Sequence, residues 1–408
     1  MNRAIDELRP YPFERLRALK ATLQPPPDKH HIALSLGEPK HAAPDFVIKA
    51  LTDPALMRAS LGSYPATRGS EELRAAMAQW LSNRFHTRVD PETQVLPVAG
   101  TREALFALAQ ALLSGTPGAR VMMPNPFYQI YEGAALMRGA EPAFLSADPD
   151  RGYLPNFDTV PEALWRSVEL VYLCTPGNPT GAVSSTRQLQ QLLELAERHD
   201  FIVASDECYS EIYNDEATPP PGLLGAAEQM GNTEYKRVLV LNSLSKRSNL
   251  PGLRSGLVAG DAALLERFLK YRTYHGCALP NHTQQVSAMA WQDEAHVVAN
   301  RAAYRDKFET LMPILQPHYP VATPAGGFFC WLPVPDGDDE AFAAALFREQ
   351  HVTVLPGSYL GRTPRAEEAD KGNMGRNGGA GHVRIAWVAP AAECVEAAQR
   401  LAQFARSR

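Results

Sequence analysis

The sequence predicts an α/β protein with a mostly parallel central sheet covered by helices on both faces, together with a smaller α+β domain. The chain has 408 residues, of which 45% are hydrophobic, so it is too long for one simple core. From about residue 95 to 260, short β-rich runs alternate with helical patterns, which is typical of βαβ units. Beyond this region, helical patterns come first and strand-like runs follow, which favours a second, α+β domain.

The elements of the large sheet follow one another in a regular order. The predicted strands are short apolar runs, namely "QVLPV", "RVMMP", "LVYLC", "FIVASDE", "RVLVLNS" and "SGLVAGD". The predicted helices between them are "TREALFALAQALL", "YQIYEGAALM" and "TRQLQQLLELAERH". Strands separated by helices of this length form a mostly parallel sheet that is covered on both faces.

The second half of the chain predicts the smaller domain and two surface loops. Its helices are "DAALLERFLKYRTYHG", the segment 281–316 and "AAECVEAAQRLAQFA", and its strands are "GGFFCWLPV", "HVTVLPG" and "HVRIAWV". Segments 215–236 and 361–381 are rich in Pro, Gly or charge and are predicted to be loops, the second of them mobile.

Composition and charge exclude several functional classes. The net charge is −5 and Lys and Arg are scattered, which argues against nucleic-acid and membrane partners and favours small-molecule chemistry. The five cysteines have neither a CxxC nor a metal-ligand spacing, so we expect reduced thiols and no metal site. The charged N-terminus lacks an apolar core, and no run approaches the length of a membrane span. We therefore expect a cytoplasmic protein.

Lys246 is the first candidate for chemistry. It lies in "NSLSKRSNLPGLRSG", just after a predicted buried strand, where open α/β folds bind their ligands. The nearby Arg247 and Arg254, with partial burial, would favour a neutral amine that can attack a carbonyl and form a Schiff base. Hydroxyls of Ser243 and Ser245, with Arg254, could hold an anion beside it. A lysine beside a phosphate site suggests pyridoxal phosphate, whereas a solvent-exposed lysine in a polar turn is the alternative.

The other groups that this cofactor needs follow further strands. Asp206, after "FIVAS", could keep the pyridine nitrogen protonated, or it could cap a helix. Asn178 in "TPGNPTG" could donate to the ring oxygen, or could only form a turn. Tyr128 in "MPNPFYQIY" could stack on the ring, or simply pack in the core. A helix start with phosphate-binding N–H groups, for which ordinary capping is the alternative, is predicted at Gly100, Thr101 and Arg102.

With "NPTG", "SDECY" and "SLSKRSNLPGLRSG" in this order, the sequence resembles the fold-type-I, class I and II aminotransferases that use pyridoxal phosphate. The resemblance runs from "LSLGEP" to "HVRIAWV". It implies an N-terminal arm with part of the small domain at 1–45, a large cofactor-binding domain at 46–285 and a small domain at 286–408. Lys246 would link covalently to the cofactor, Asp206 would pair with its pyridine nitrogen, and Asn178 and Tyr209 would bind its ring oxygen. The residues around the phosphate and ring would be Ser243, Ser245, Arg254, Thr101, Arg102 and Tyr128.

The same resemblance implies how substrate and partner are bound. Arg384 in "HVRIAWV" would grip the substrate α-carboxylate, a role that a bidentate guanidinium suits, although a surface salt bridge is the alternative. Gly37 would let the substrate approach the backbone, and Tyr64 would reach the phosphate of a neighbouring subunit, so a homodimer is implied. The freed amine of Lys246 would act as base and acid in a ping-pong exchange between an amino acid and a 2-oxo acid, usually glutamate and 2-oxoglutarate.

Within this family, phrases such as "LRPYPFERLRAL", "SLGEPKHAAP" and "YRTYHGC" are similar to the bacterial succinyldiaminopimelate transaminases of lysine biosynthesis. Cations that would suit their extra carboxylates are Lys40, His41, Arg68, Arg247, Arg272 and His275, although solvated surface roles fit these residues as well. Aspartate, alanine or aromatic aminotransferases would share the cofactor residues, and a carbon–sulfur lyase of this fold is a further alternative. A DNA-binding regulator would need a helix-turn-helix region before "LGEP", which we do not expect.

Overall fold

The computed structural model describes residues 2–364 and 376–408. In these ranges the α-helices are α1 (Ala4–Glu7), α2 (Pro12–Lys20), α3 (Asp45–Leu51), α4 (Pro54–Leu61), α5 (Glu71–Phe85), α6 (Thr101–Leu112), α7 (Ile130–Met137), α8 (Glu162–Trp165), α9 (Thr186–His199), α10 (Leu223–Gln229), α11 (Leu244–Arg247), α12 (Ala262–His275), α13 (Asn281–Gln292), α14 (Ala295–Leu315), α15 (Asp339–Gln350) and α16 (Ala391–Arg406).

The strands are β1 (Ile32–Ala33), β2 (Val95–Val98), β3 (Arg120–Asn125), β4 (Glu141–Asp148), β5 (Leu154–Pro155), β6 (Val168–Cys174), β7 (Ile202–Asp206), β8 (Val238–Ser243), β9 (Gly256–Gly260), β10 (Phe329–Pro333), β11 (Val352–Thr353), β12 (Leu355–Pro356) and β13 (His382–Ala386). Short 3-10 turns lie at Pro149–Arg151, Phe157–Thr159, Pro251–Leu253 and Gly357–Tyr359. No helix of the described ranges is long and apolar enough to cross a membrane.

The central sheet has the predicted, mostly parallel form. Within the described residues its strand order is β2-β9-β8-β7-β6-β3-β4-β5, and the pairs from β8 through β7, β6 and β3 to β4 are parallel. In the described part of the chain, the antiparallel pairs of this sheet are β2 with β9, β9 with β8, and β4 with β5. Every residue of β2, β8 and β9 is buried, because helices cover both faces, which is why these strands are continuous apolar runs in the sequence.

Helix α9 shows why an amphipathic sequence pattern predicts a connecting helix. Helix α9, between β6 and β7, begins at a capping box in which Ser185 and Gln188 satisfy each other's backbone N–H groups. It buries Leu189, Leu192, Leu193 and Ala196 on one face, which is the spacing of an amphipathic helix packed on a sheet. This helix therefore returns the chain across the sheet to start β7 parallel to β6.

The smaller unit is built around an antiparallel sheet in the order β10-β13-β12. Helices α14, α15 and α16 supply residues to its apolar core, whose members include Phe308, Leu346, Ile385, Trp387 and Leu401. The N-terminal part of the chain joins it, since β1 pairs with β11 and Arg15 of α2 lies over the Tyr359 ring, 3.7 Å from its centroid. The domain boundaries at residues 45 and 285 stay a prediction.

Two expectations about loops need correction. Segment 215–236 is not only a surface loop, because it contains α10, whose Leu223, Leu224 and Ala227 are fully or almost fully buried. Its Pro and Gly residues obscured a short apolar helix. Segment 361–381 begins inside the protein rather than at the surface, since the buried Arg362 forms a two-pronged ion pair with Glu132 at 2.5 and 2.7 Å. The predicted mobility concerns residues that lie largely outside the described ranges.

Candidate active site

The strand register brings the candidate residues to one edge of the sheet. Cys174 at the end of β6 is paired with Asp206 at the end of β7, and Asp206 is paired in turn with Leu241 on β8. The segments that follow β6 and β8, which carry Asn178 and Lys246, therefore start beside Asp206. Antiparallel β9 begins at this same edge, where Gly256 pairs with both Ser243 and Val98, so that Arg254 and the start of α6 come close to Ser243.

A cavity of about 430 Å³ opens at this edge. Of the residues predicted for the site, twelve line it: Gly37, Thr101, Arg102, Tyr128, Asn178, Asp206, Tyr209, Ser243, Ser245, Lys246, Arg254 and Arg384. Further lining residues that the sequence analysis missed include Tyr11, Phe13, Leu36, Glu38, Phe329 and Leu360. Tyr11 and Phe13 come from the N-terminal arm, and neither carries a sequence signal of its own beyond the apolar phrase "RPYPF".

Lys246 lies in the one-turn helix α11 and its Nζ donates to the carbonyl of Gly37. Burial lowers the pKa of Lys246 to about 8, and the positive charges of Arg384 and Arg254 act in the same direction. A substantial fraction of the amine is therefore neutral near physiological pH, which a nucleophile for an aldehyde requires.

The prediction that the charge of Arg247 helps to keep the Lys246 amine neutral was wrong. The Arg247 guanidinium points away from the cavity, donates to Glu294 at 2.5 Å and to the Ala290 carbonyl at 2.7 Å, and lies over the rings of Trp80 and Trp291. Consecutive residues of a helical turn point about 100° apart, so Arg247 cannot face the same space as Lys246. The second cation beside the amine is instead the remote Arg384.

Asp206 is buried and accepts two hydrogen bonds at its carboxylate. The Tyr131 hydroxyl donates to Oδ2 at 2.8 Å, and the Cys208 backbone N–H donates to Oδ1 at 3.3 Å. Burial raises the pKa of Asp206, and these donors oppose that rise by stabilising the charged form. Asp206 does not cap a helix. Tyr131 was missed, since its role depends on α7 packing against β3 and β4 and on its stacking with Tyr172, 4.7 Å between ring centroids.

An anion site lies beside Lys246. Ser245 N–H donates to Ser243 Oγ at 3.1 Å, and the two hydroxyl oxygens are 2.9 Å apart. Gly100 is the N-cap residue of α6 and offers no side-chain cap, so the first N–H groups of the helix, on Thr101 and Arg102, are free to bind an anion. Gly100 has φ +83°, and an added Cβ would lie 2.1 Å from Arg254 Nη2, so only glycine lets this guanidinium approach the helix start.

Arg384 is a buried guanidinium without a paired acid among the residues described. Nη1 donates to Asn178 Oδ1 at 2.8 Å and Nη2 to the Ser35 carbonyl at 2.7 Å, whereas Nε is buried without a partner. Its guanidinium lies 4.7 Å from the centroid of the Phe329 ring. Burial lowers the pKa of Arg384 to about 10. A buried cation of this kind is stabilised by an incoming carboxylate.

The two predicted tyrosines of the cavity, Tyr128 and Tyr209, differ in their surroundings. Tyr209 packs edge-on against Phe328 and Phe329, with centroids 5.4 Å apart in each pair, and burial raises its pKa so that its hydroxyl stays protonated and can donate. The Tyr128 hydroxyl accepts from Arg102 Nε at 2.7 Å, while Arg102 Nη2 donates to the Tyr11 hydroxyl at 3.0 Å. The Arg102 guanidinium is thus held by phenols, and its backbone N–H remains at the start of α6.

The remaining predicted residues lie outside the cavity of this single chain. Tyr64 is fully exposed, and its role in a neighbouring subunit stays a prediction. The six cations suggested for extra carboxylates are absent from the described cavity lining. Ligand atoms of Glu103, His275 and Cys277 lie within 4.8 Å of one another, but both Glu103 oxygens accept from Arg272, so we assign this carboxylate to the ion pair and not to a metal.

The donor set fits pyridoxal phosphate. The cavity joins a lysine of lowered pKa for the aldehyde, a buried carboxylate for the pyridine nitrogen, and an amide and a phenol for the ring oxygen. Arg254 donates to the carbonyls of Pro251 and Ala99 rather than to a carboxylate, which suits a guanidinium that faces a phosphate.

Comparisons with known proteins agree with this chemistry. Residues 29–401 match the family model "Aminotransferase class I and II". An aminotransferase structure from Neisseria meningitidis is 43% identical, covers 99% of this chain and 100% of its own, and has a TM-score of 0.92. An LL-diaminopimelate aminotransferase from Dehalococcoides mccartyi is 27% identical over 99% of this chain and 98% of its own.

A probable N-succinyldiaminopimelate aminotransferase from Thermus thermophilus is 25% identical, with a TM-score of 0.80 over 96% of this chain and 98% of its own. The family match covers most of the chain, and members of this family use pyridoxal phosphate as cofactor. The chain is therefore an aminotransferase and belongs to the class I and II aminotransferase family.

Proposed function

We propose that the protein transfers the amino group between N-succinyl-LL-2,6-diaminopimelate and 2-oxoglutarate, giving N-succinyl-2-amino-6-oxopimelate and glutamate, in lysine biosynthesis. Relatives named for diaminopimelate and for its succinylated form support this substrate class. The observation that carries the proposal is a further guanidinium in the cavity, besides Arg384 and the Arg254 that faces the anion site. Arg384 suits the α-carboxylate, and Arg102, which is held by two phenols, suits a carboxylate at the far end of a long amino donor.

The chain's own residues then act as follows. When bound, pyridoxal phosphate supplies the aldehyde that takes up the amino group. Arg384 and Asn178 orient the substrate carboxylate, and Asp206 holds a positive charge on the pyridine nitrogen. Nζ of Lys246, with its lowered pKa, accepts the proton that leaves the substrate α-carbon and returns it later in the reaction. Phe329 and Leu360 contribute apolar surface to the cavity lining.

A second candidate substrate is unacylated LL-diaminopimelate. Glu38 lines the cavity, and its negative charge acts on Lys246 from the cavity side. A carboxylate there would attract the distal ammonium of LL-diaminopimelate, whereas succinylation removes that ammonium and adds a carboxylate. The two donors therefore differ in the charge that they bring near Glu38 and Arg102.

A donor panel with 2-oxoglutarate as acceptor tests these substrates. The panel consists of N-succinyl-LL-2,6-diaminopimelate, LL-diaminopimelate, aspartate, alanine and an aromatic amino acid. We expect the succinylated donor to have the highest kcat/KM of these. Arg102→Leu should lower kcat/KM for the succinylated donor by about tenfold or more and leave alanine nearly unchanged. A higher kcat/KM for LL-diaminopimelate, reduced in Glu38→Gln, would establish the second candidate instead.

We further propose a homodimer in which Tyr64 reaches the neighbouring cavity. Supporting observations are the large exposed apolar side chains near Tyr64 and on α12 and α13, namely Leu61, Tyr274 and Met289. Light scattering of the purified protein should give twice the chain mass of 44.7 kDa. Tyr64→Phe should weaken cofactor binding without changing that mass. The cytoplasm is the proposed location, and the free state of Cys174, Cys208, Cys277, Cys330 and Cys394 supports it.

A further inference from the structure

The short segment from Gly37 to His41 contacts Lys246 in two ways, once directly and once through Asn300. Lys246 Nζ donates to the Gly37 carbonyl, and its backbone carbonyl accepts from Asn300 Nδ2 at 3.1 Å. Asn300 Oδ1 in turn lies 3.0 Å from Nδ1 of His41. His41 follows Gly37 by four residues, so one segment contacts the amine directly and the backbone of the same lysine through Asn300.

The hydrogen bonds determine the tautomer of His41. Asn300 Nδ2 faces the carbonyls of Lys246 and Arg247, so Oδ1 is the atom that faces His41 and accepts. Nδ1 of His41 therefore carries the proton. Lys307 Nζ lies 2.7 Å from Nε2, and because an ammonium can only donate, Nε2 is the acceptor. His41 is thus a neutral imidazole with one assigned tautomer.

Lys307 connects this network to the strand that carries Arg384. The side chain is buried, and besides His41 it donates to the carbonyls of Ala389 at 2.6 Å and Trp387 at 3.3 Å. Both carbonyls lie just after β13, which contains Arg384. A continuous set of hydrogen bonds therefore runs from the end of the Arg384 strand through Lys307, His41 and Asn300 to the backbone of Lys246.

We propose that His41 and Asn300 are positioning residues that hold the backbone of Lys246 in register with Gly37 and Arg384. The amine has to serve two centres, the cofactor aldehyde and the substrate α-carbon, and small displacements of such a group reduce its rate strongly. The Asn300 amide group donates to the backbone carbonyls of Lys246 and Arg247, and its Oδ1 accepts from His41 and Asn249. All of its hydrogen-bonding capacity is therefore used, and a lost contact cannot be replaced. This inference rests on the proposed role of Lys246 but not on the identity of the amino donor.

Three variants of His41 separate the two ends of the network. His41→Asn keeps a donor near the Nδ1 position for Asn300, and His41→Gln keeps an acceptor near the Nε2 position for Lys307. His41→Phe removes both while keeping a ring against Tyr304, whose centroid is 4.6 Å away. His31→Phe is the matched control, because His31 bonds Thr353 and stacks on His351 away from the described cavity lining.

We expect kcat to fall by about tenfold to a hundredfold in His41→Phe and His41→Gln and by no more than about threefold in His41→Asn. KM for the amino donor should change by less than about twofold, since the contacts of Arg384 are untouched. In cofactor-free protein, Lys246 can be treated with an amine-reactive acylating reagent at a series of pH values, and its modification can be measured by peptide mass spectrometry. The pH of half-maximal acylation should rise in His41→Phe and His41→Gln but not in His41→Asn. The acylation readout does not require the proposed donor or any turnover.

Equal kcat values and equal Lys246 titrations in the Asn and Gln variants would overturn the proposal and leave His41 a packing residue. If His41→Phe fails to fold, the Asn and Gln pair decides, because each of these variants loses one hydrogen bond and the two should be matched in stability. Loss of activity in the control His31→Phe to the same extent would likewise overturn it, since the effect would then not be specific to the network.

Discussion

Nη1 of Arg384 donates to Oδ1 of Asn178 at 2.8 Å, although the two residues are 206 positions apart in the chain. One comes from the strand of the smaller sheet and the other from the loop after β6 of the central sheet. This bond orients the guanidinium over the cavity that contains Lys246. It also explains why the two parts of the chain must pack together before a carboxylate site exists.

Lys246→Ala should remove the chemistry while leaving the fold. We expect the purified wild-type protein to be yellow and the variant to lose that absorption band and, because the proton-transfer group is gone, at least about a thousandfold in transamination rate. Circular dichroism should show that both proteins are folded. A colourless wild type that does not take up pyridoxal phosphate would contradict the assignment of this cavity.

Arg384→Lys should lower kcat/KM for every amino donor by about ten- to a hundredfold. An ammonium cannot make the bidentate contact of a guanidinium, and it would lose at least one of the bonds to Asn178 and Ser35. Steady-state kinetics with several donors measures the effect. Arg400→Lys is the control, since Arg400 is also buried but bonds the carbonyls of His30 and Gln350. Equal losses in both variants would argue against a substrate contact by Arg384.

Tyr131→Phe should weaken cofactor binding by about tenfold. The Tyr131 hydroxyl is one of the donors that keep Asp206 charged, and its removal raises the pKa of this carboxyl further. Calorimetric titration of the cofactor-free protein with pyridoxal phosphate measures the affinity. Tyr172→Phe, whose hydroxyl donates to the Leu105 carbonyl, should bind as the wild type does. Unchanged affinity in Tyr131→Phe would show that Asp206 does not need this donor.

The stability of the cofactor-free chain should depend on pH through Lys246. Its pKa is about 8 when folded, against 10.5 for an ordinary lysine, so between these values the unfolded chain binds more protons. The cost of burying the charge is therefore fully present below pH 8 and disappears as the pH rises toward 10.5. The difference between the two pKa values corresponds to about 3 kcal/mol.

Denaturant unfolding of wild type and Lys246→Met at pH 7 and pH 10 measures this cost. We expect the methionine variant to be more stable by up to about 3 kcal/mol at pH 7 and by much less at pH 10. The exposed Lys270 provides a matched Lys→Met control. A stability gain of the same size at both pH values would mean that the lost charge of Lys246 is not its cause.

Sequence patterns alone predicted the central sheet, since strands buried on both faces must be continuous apolar runs and the helices between them must be amphipathic. The same reasoning predicted Lys246, Asp206 and Asn178, because parallel strands place their carboxyl ends at one edge. It failed for α10, where Pro and Gly flank a short buried helix. The positions of strands and helices therefore follow largely from the hydrophobic pattern and from the order of the elements along the chain.

Which side chains share the cavity depends on how distant elements of the chain pack together. Arg247 and Arg254 are equivalent in sequence, yet one packs between Trp80 and Trp291 while the other faces the start of α6. Tyr131, Tyr11 and Asn300 were missed for the same reason. The direction of a side chain depends on the turn that carries it and on the elements packed around it, and these contacts join residues far apart in the chain.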